Sequence, residues 1–73
     1  MELRGYVAEV ELEPETNRWY GRTVNVRPGG FDFWGRSLAE LRQEFAASAE
    51  VFEQVSEEAG IEFRIDPIVT SHD

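Results

Sequence analysis

The chain has no cysteine, no lysine, one histidine and one methionine. Without cysteine there is no disulfide, no thiolate zinc site and no cysteine nucleophile. The lone His72 is too little for a histidine-based metal site. No apolar run is long enough for a membrane span. No signal-peptide pattern opens the chain, where Met1-Glu2-Leu3-Arg4 leads directly into strand-like sequence. Both absences predict a cytoplasmic protein. Positive charge is scarce as well: 7 basic residues, all arginine, face 15 acidic ones, for a net charge of −8. A field of that sign repels a phosphate backbone and attracts a basic partner, so DNA binding is not expected of this chain alone.

The 73 residues make a single domain, 1–73. A domain this short buries only roughly 60 % of the surface its unfolded chain exposes. With no disulfide or metal to staple it, self-association or a partner is the natural further source of stability. Apolar residues at 41 % and aromatics at 12 % are enough for a globular core and too many for a disordered chain.

Residues 3–12 alternate as a strand, with Tyr6, Ala8, Val10 and Leu12 against Val7, Glu9 and Glu11. Residues 13–17, with Pro14 and Asn17, supply a turn. Residues 18–26 read as the second strand of a hairpin. Arg27-Pro28-Gly29-Gly30 breaks the pattern, and residues 31–35 read as a short third strand. Ser37-Leu38-Ala39-Glu40 is a capping box, with Ser37 accepting from the Glu40 amide and the Glu40 carboxylate reaching back to the Ser37 amide. The helix that follows predicts one apolar face of Leu38, Leu41, Phe45, Ser48, Ala49, Phe52, Val55 and Ala59. Gly60 suits the position just past its end. Residues 61–65 read as a fourth strand, closed by Pro67, and residues 68–73 as a tail with weak strand character.

The expected fold is therefore α+β, in the order β-β-β-α-β. An antiparallel meander is followed by one long helix on one face and a strand returning to the sheet. All aromatics except Phe45 and Phe52 fall in strands, on both faces of the sheet. If Phe31 and Phe33 turn toward the helix, then Asp32, Trp34 and Arg36 turn away. The second face then holds a large aromatic that nothing in this chain covers, which predicts a homodimer or higher oligomer, or a protein partner. The candidate interface residues are Trp34, Trp19, Tyr20 and Arg22 in the strands and Glu44 and Glu50 on the helix. The parity of Trp19 against Tyr20 is open at this level.

Across residues 4–60 the chain resembles the HicB-like antitoxin family. The resemblance rests on an ordered set: Gly5-Tyr6-Val7-Ala8-Glu9-Val10, an acidic turn, Trp19-Tyr20-Gly21-Arg22, Pro28-Gly29-Gly30, Phe33-Trp34-Gly35, and Ser37-Leu38-Ala39-Glu40-Leu41 opening a long acidic helix. It implies a domain like a truncated ribonuclease-H fold. It further implies binding to a small basic toxin of the HicA type, which cleaves messenger RNA and is masked by the antitoxin. Many members carry a C-terminal DNA-binding segment. This sequence departs from them after the fourth strand, so it is read as a short form. Two further readings stand beside this one: a stand-alone homo-oligomeric interaction domain, and a nucleic-acid-binding remnant of a nuclease fold.

No catalytic, metal or cofactor site is expected, and the chain is not read as an enzyme. Glu9, Glu11 and Asp32 could be imagined as a carboxylate cluster holding cations, but their spacing does not require it. Ser37, Ser48 and Ser56 have no histidine or lysine base in prospect. Pro28-Gly29-Gly30 lacks the lysine and Ser/Thr of a phosphate loop. Arg18, Arg22 and Arg27 could form a small basic patch. The acidic helix residues suit a solvated face as well as a docking surface, and His72 lies in a polar tail.

Overall fold

A computed structural model describes residues 1–67. The expected tail strand and His72 lie outside the described residues. The elements run β1 (Glu2–Leu3), β2 (Tyr6–Glu13), β3 (Arg18–Thr23), β4 (Val26–Arg27), β5 (Asp32–Gly35), α1 (Leu38–Ala59) and β6 (Arg64–Ile65). β1, β2, β3 and β5 form an antiparallel sheet in that spatial order, and β4 pairs with β6 in a separate two-stranded sheet. One long helix lies against an antiparallel sheet, the α+β layout that the periodicity predicts. Among the described residues no helix is long and apolar enough to cross a membrane.

The main hairpin follows its turn chemistry. Asn17 takes φ 54°, and its N–H donates to the Glu13 carbonyl at 2.8 Å. Asparagine tolerates this left-handed backbone better than most residues. The register then pairs Ala8 with Thr23, Val10 with Gly21 and Leu12 with Trp19 on one face. Two expected strands are subdivided. The first breaks at Arg4 (φ 47°) and Gly5 (φ 91°), so that β1 folds back on β2. The second ends at Thr23, because Asn25 turns inward.

Asn25 is only 3 % exposed. Its Oδ1 accepts from the Val7 N–H at 2.9 Å, and its Nδ2 donates to the carbonyls of Gly5 at 2.9 Å and Asp66 at 2.8 Å. The Asp66 N–H donates to the Asn25 carbonyl at 2.8 Å. This cluster determines where the final strand lands. It returns beside β4, pairing Val26 with Ile65, and does not join the four-stranded sheet. Asp66 adds ion pairs to Arg27 (3.2 Å) and Arg64 (3.1 Å).

Ser37 caps α1, its Oγ accepting from the Glu40 N–H at 3.1 Å. The Glu40 carboxylate accepts from the Arg36 N–H at 3.3 Å, one residue beyond the Ser37 amide that the capping box leads one to expect. Gly60 closes the helix at φ 69°, with Gly60 and Ile61 amides satisfying the carbonyls of Glu57 and Ser56. Leu41, Phe45, Ala49 and Ser56 are buried. Leu38 (50 % exposed) and Val55 (55 % exposed), both expected on the core face, are not. Leu38 lies in the first turn, ahead of the first buried helix residue, Leu41. Val55 lies on the flank of the helix: the buried stripe runs through Leu41, Phe45, Ala49, the partly buried Phe52 and Ser56, which is 5 % exposed, and passes Val55 by.

The core joins Tyr6, Ala8, Val26, Phe33, Leu41, Phe45 and Ala49. Phe33 and Phe45 stack with ring centroids 4.5 Å apart. Two glycines make room for this contact. A Cβ on Gly21 would stand 2.4 Å from the Phe33 ring, and one on Gly35 would stand 2.6 Å from the backbone nitrogen of Leu41. Helix and sheet approach so closely because these positions carry no side chain. The buried Tyr6 hydroxyl donates to Glu53 Oε2 at 2.7 Å, tying the start of β2 to the C-terminal half of the helix. Burial, and next this bond to a carboxylate, hold its ionisation well above the ordinary tyrosine range.

Candidate functional site

Strand alternation sorts the sheet into two faces. Tyr6, Ala8, Val10, Trp19, Gly21 and Phe33 turn toward α1. The other face carries cross-strand rows. Glu9 lies opposite Arg22, which lies opposite Asp32; Glu11 lies opposite Tyr20, which lies opposite Trp34; Glu13 lies opposite Arg18. Among the described residues no element covers this face.

Its centre is aromatic. Tyr20 and Trp34 pack at a centroid separation of 4.9 Å, and Trp34 is 41 % exposed. The Tyr20 hydroxyl reaches Asp32 Oδ2 at 3.4 Å. Its ionisation is raised, by partial desolvation first and then by the negative charge of Asp32. The rim is charged. Arg22 pairs with Glu9 at 3.6 Å and Arg18 with Glu13 at 4.0 Å. Exposed pairs of this kind contribute about 0–1 kcal/mol each, so they decorate the face more than they hold it. Glu9, Glu11, Glu13 and Asp32 outnumber Arg18 and Arg22, leaving the face acidic. Glu9, Val10, Glu11, Tyr20 and Arg22 line a shallow open depression of about 470 Å³.

Register settles the parity that sequence left open. Trp19 faces the helix and packs against the core; Tyr20 faces out. Of the six candidate interface residues, Trp34, Tyr20 and Arg22 come together on the open face. Trp19 lies on the opposite face of the sheet. Glu44 and Glu50 are exposed on the helix, in the other layer, and share no surface with Trp34.

The carboxylates Glu9, Glu11 and Asp32 share the open face, but Arg22 stands between Glu9 and Asp32. Among the described residues no three acidic or histidine side chains converge on a point where a metal ion could sit. The arginines 18, 22 and 27 form no patch, because each is paired with its own carboxylate: Glu13, Glu9 and Asp66. The residue that sequence reasoning missed is Asn25. A lone amide between Val24 and Val26 is the signal that marks it. Rigid aromatics at the centre of the open face and excess negative charge around them are features that suit recognition of a partner. Comparison with protein-family models, curated proteins and solved structures gives no match.

Proposed function

We propose that this chain is a HicB-like antitoxin domain that acts by binding, and that it masks a small basic toxin of the HicA type with the uncovered face of its sheet. The observation that carries the reading is the outward-facing Tyr20–Trp34 pair, with Trp34 exposed and Tyr20 half-buried, set among carboxylates on a strand-held surface. Aromatic side chains on a rigid element are the usual energetic anchors of an interface. Surplus acid around them steers a basic partner and disfavours an acidic one or a nucleic acid. The chain's net charge of −8 points the same way, as does the strand–helix order of the resemblance. The role assigns the chain no catalysis, cofactor or DNA contact of its own, and it belongs in the cytoplasm, where the partner's messenger RNA is.

Co-expression with a small basic HicA-type protein encoded beside it tests the reading. The wild-type chain should relieve growth arrest and co-purify with that protein at moderate salt. Combining Tyr20→Ala with Glu11→Lys should weaken the complex by about 30-fold or more, because truncating a central anchor costs at least about 2 kcal/mol. Glu44→Lys and Glu50→Lys, on the helix layer, should change affinity by less than about threefold. Full affinity in the Tyr20/Glu11 variant would move the interface off this face. Failure of the wild-type chain to bind the toxin would remove the antitoxin reading itself.

A further inference from the structure

The carboxylates of the open face are of two kinds. Glu9 and Glu13 are each held by the arginine opposite, Arg22 and Arg18. Glu11 and Asp32 make no ion pair among the described residues. These two are the ones that flank the aromatic pair. Glu11 lies opposite Tyr20, which lies opposite Trp34. Asp32 stands two residues before Trp34 on β5, on the same side of the sheet, and its Oδ2 accepts from the Tyr20 hydroxyl at 3.4 Å. Tyr20 packs against the indole at 4.9 Å, yet Trp34 remains 41 % exposed. The unneutralised charge of the face is therefore concentrated at its aromatic centre.

We propose that this centre is the seat for an arginine side chain of a protein partner, with the guanidinium stacked on Trp34 and its N–H groups forked onto Asp32, and with Glu11 supplying further negative charge beside it. The inference rests on the reading above in one respect, that the open face is the binding surface, and adds what that face recognises. The spacing fits. Residues two apart on a strand lie about 7 Å from each other, and neighbouring strands about 5 Å. A cation within about 6 Å of the ring centroid gains from the negative face of the indole. From there a planar guanidinium reaches a carboxylate on the same strand with paired donors. Lysine fits less well, because its ammonium is a compact, strongly hydrated point charge with no plane to stack and no fork to offer. A nucleobase would stack on the same indole, but its phosphates would meet Glu11 and Asp32. The chain's own arginines that the register places on this face, Arg18 and Arg22, are engaged with Glu13 and Glu9.

The test is to titrate the purified chain with a short glycine–arginine repeat peptide and with the glycine–lysine peptide of equal charge. At about 0.15 M salt long-range attraction is largely screened, and what remains is common to both peptides. The arginine peptide should bind at least about threefold more tightly. In NMR spectra the Trp34 indole N–H should shift most, while that of Trp19, on the helix side of the sheet, stays nearly still. Trp34→Leu should abolish the preference for arginine, and Asp32→Asn should reduce it by about half or more. Glu44→Gln with Glu50→Gln lowers the acidity of the helix layer and should leave the preference unchanged. Equal affinity for the two peptides, or a preference untouched by Trp34→Leu or by Asp32→Asn, would overturn the proposal. No toxin takes part in this measurement. A chain that prefers arginine but fails to bind the HicA-type protein keeps the seat and loses the antitoxin reading. One that binds the toxin but does not distinguish the peptides keeps that reading and loses the seat.

Discussion

Phe45→Ala should cost about 3–5 kcal/mol of folding stability, the range for deleting a fully buried aromatic. Phe45 is 0 % exposed and stacks on Phe33 at 4.5 Å, with Phe31 at 6.0 Å. It is the point where helix, β5 and the Phe31 loop meet. A domain of this length has a total stability of about 4–11 kcal/mol, so the variant sits near or past the edge of folding. The cavity cannot collapse easily. The backbone of the helix already rests on Gly35 at the closest approach the chain permits, and Phe33 already covers Gly21. A thermal melt followed by circular dichroism should drop by about 15 °C or more, given about 4–8 °C per kcal/mol for small domains. Val55→Ala on the exposed flank of the same helix should change stability by less than about 0.5 kcal/mol. A Phe45 variant that melts within about 5 °C of wild type would mean that the core is not centred on this ring.

The second large effect is expected at Asn25, for a polar reason. Asn25→Ala removes three side-chain hydrogen bonds of 2.8–2.9 Å and strands the Val7 N–H and the Gly5 and Asp66 carbonyls. Buried unpaired groups cost about 1–3 kcal/mol each, so a total loss of about 3 kcal/mol or more is expected in urea denaturation. Asn25→Asp keeps the shape and the acceptor for Val7. It replaces the amide donor with a carboxylate oxygen facing two carbonyl oxygens, and at neutral pH it should be at least as damaging as alanine. A loss under about 1 kcal/mol for both variants would mean that water substitutes for the side chain and that the site is not the clasp its geometry describes.

Much of this architecture was legible in the residues, where the local signal is strong. Alternation from Tyr6 to Leu12, the Pro14–Asn17 turn, the Ser37 cap and Gly60 each specify an element through the chemistry of a few neighbours. What was hidden depends on distant residues. β4 and β6 are two residues each, too short to carry a period. The break at Arg4–Gly5 is marked by a single glycine. Leu38 and Val55 fit a broad helical stripe, but the apolar pattern does not report which side of that stripe meets the sheet, and toward the helix end the buried position is the polar Ser56. The open face was partly readable. Trp34 followed from Phe33 by simple parity, while adjacent Trp19 and Tyr20 could be assigned only once Tyr20 was seen opposite Trp34. Grouping Glu44 and Glu50 with them rested on charge alone, and charge does not report which layer a residue belongs to.

The Asn25 clasp also bears on the order in which the chain assembles. Asn25 and Asp66 are 41 residues apart, whereas β2 and β3 are joined by one tight turn. Closing the long loop has an entropic cost that the hairpin and the helix do not share, and its return is a two-residue ladder with a few polar bonds. Local hairpin and helix contacts therefore precede it in folding, and the segment around Asp66 is the natural first point of opening in the native state. In amide exchange, the Asp66 N–H should report this local excursion at a lower free energy than the central amides of β2 and β3, which wait for the whole domain to unfold.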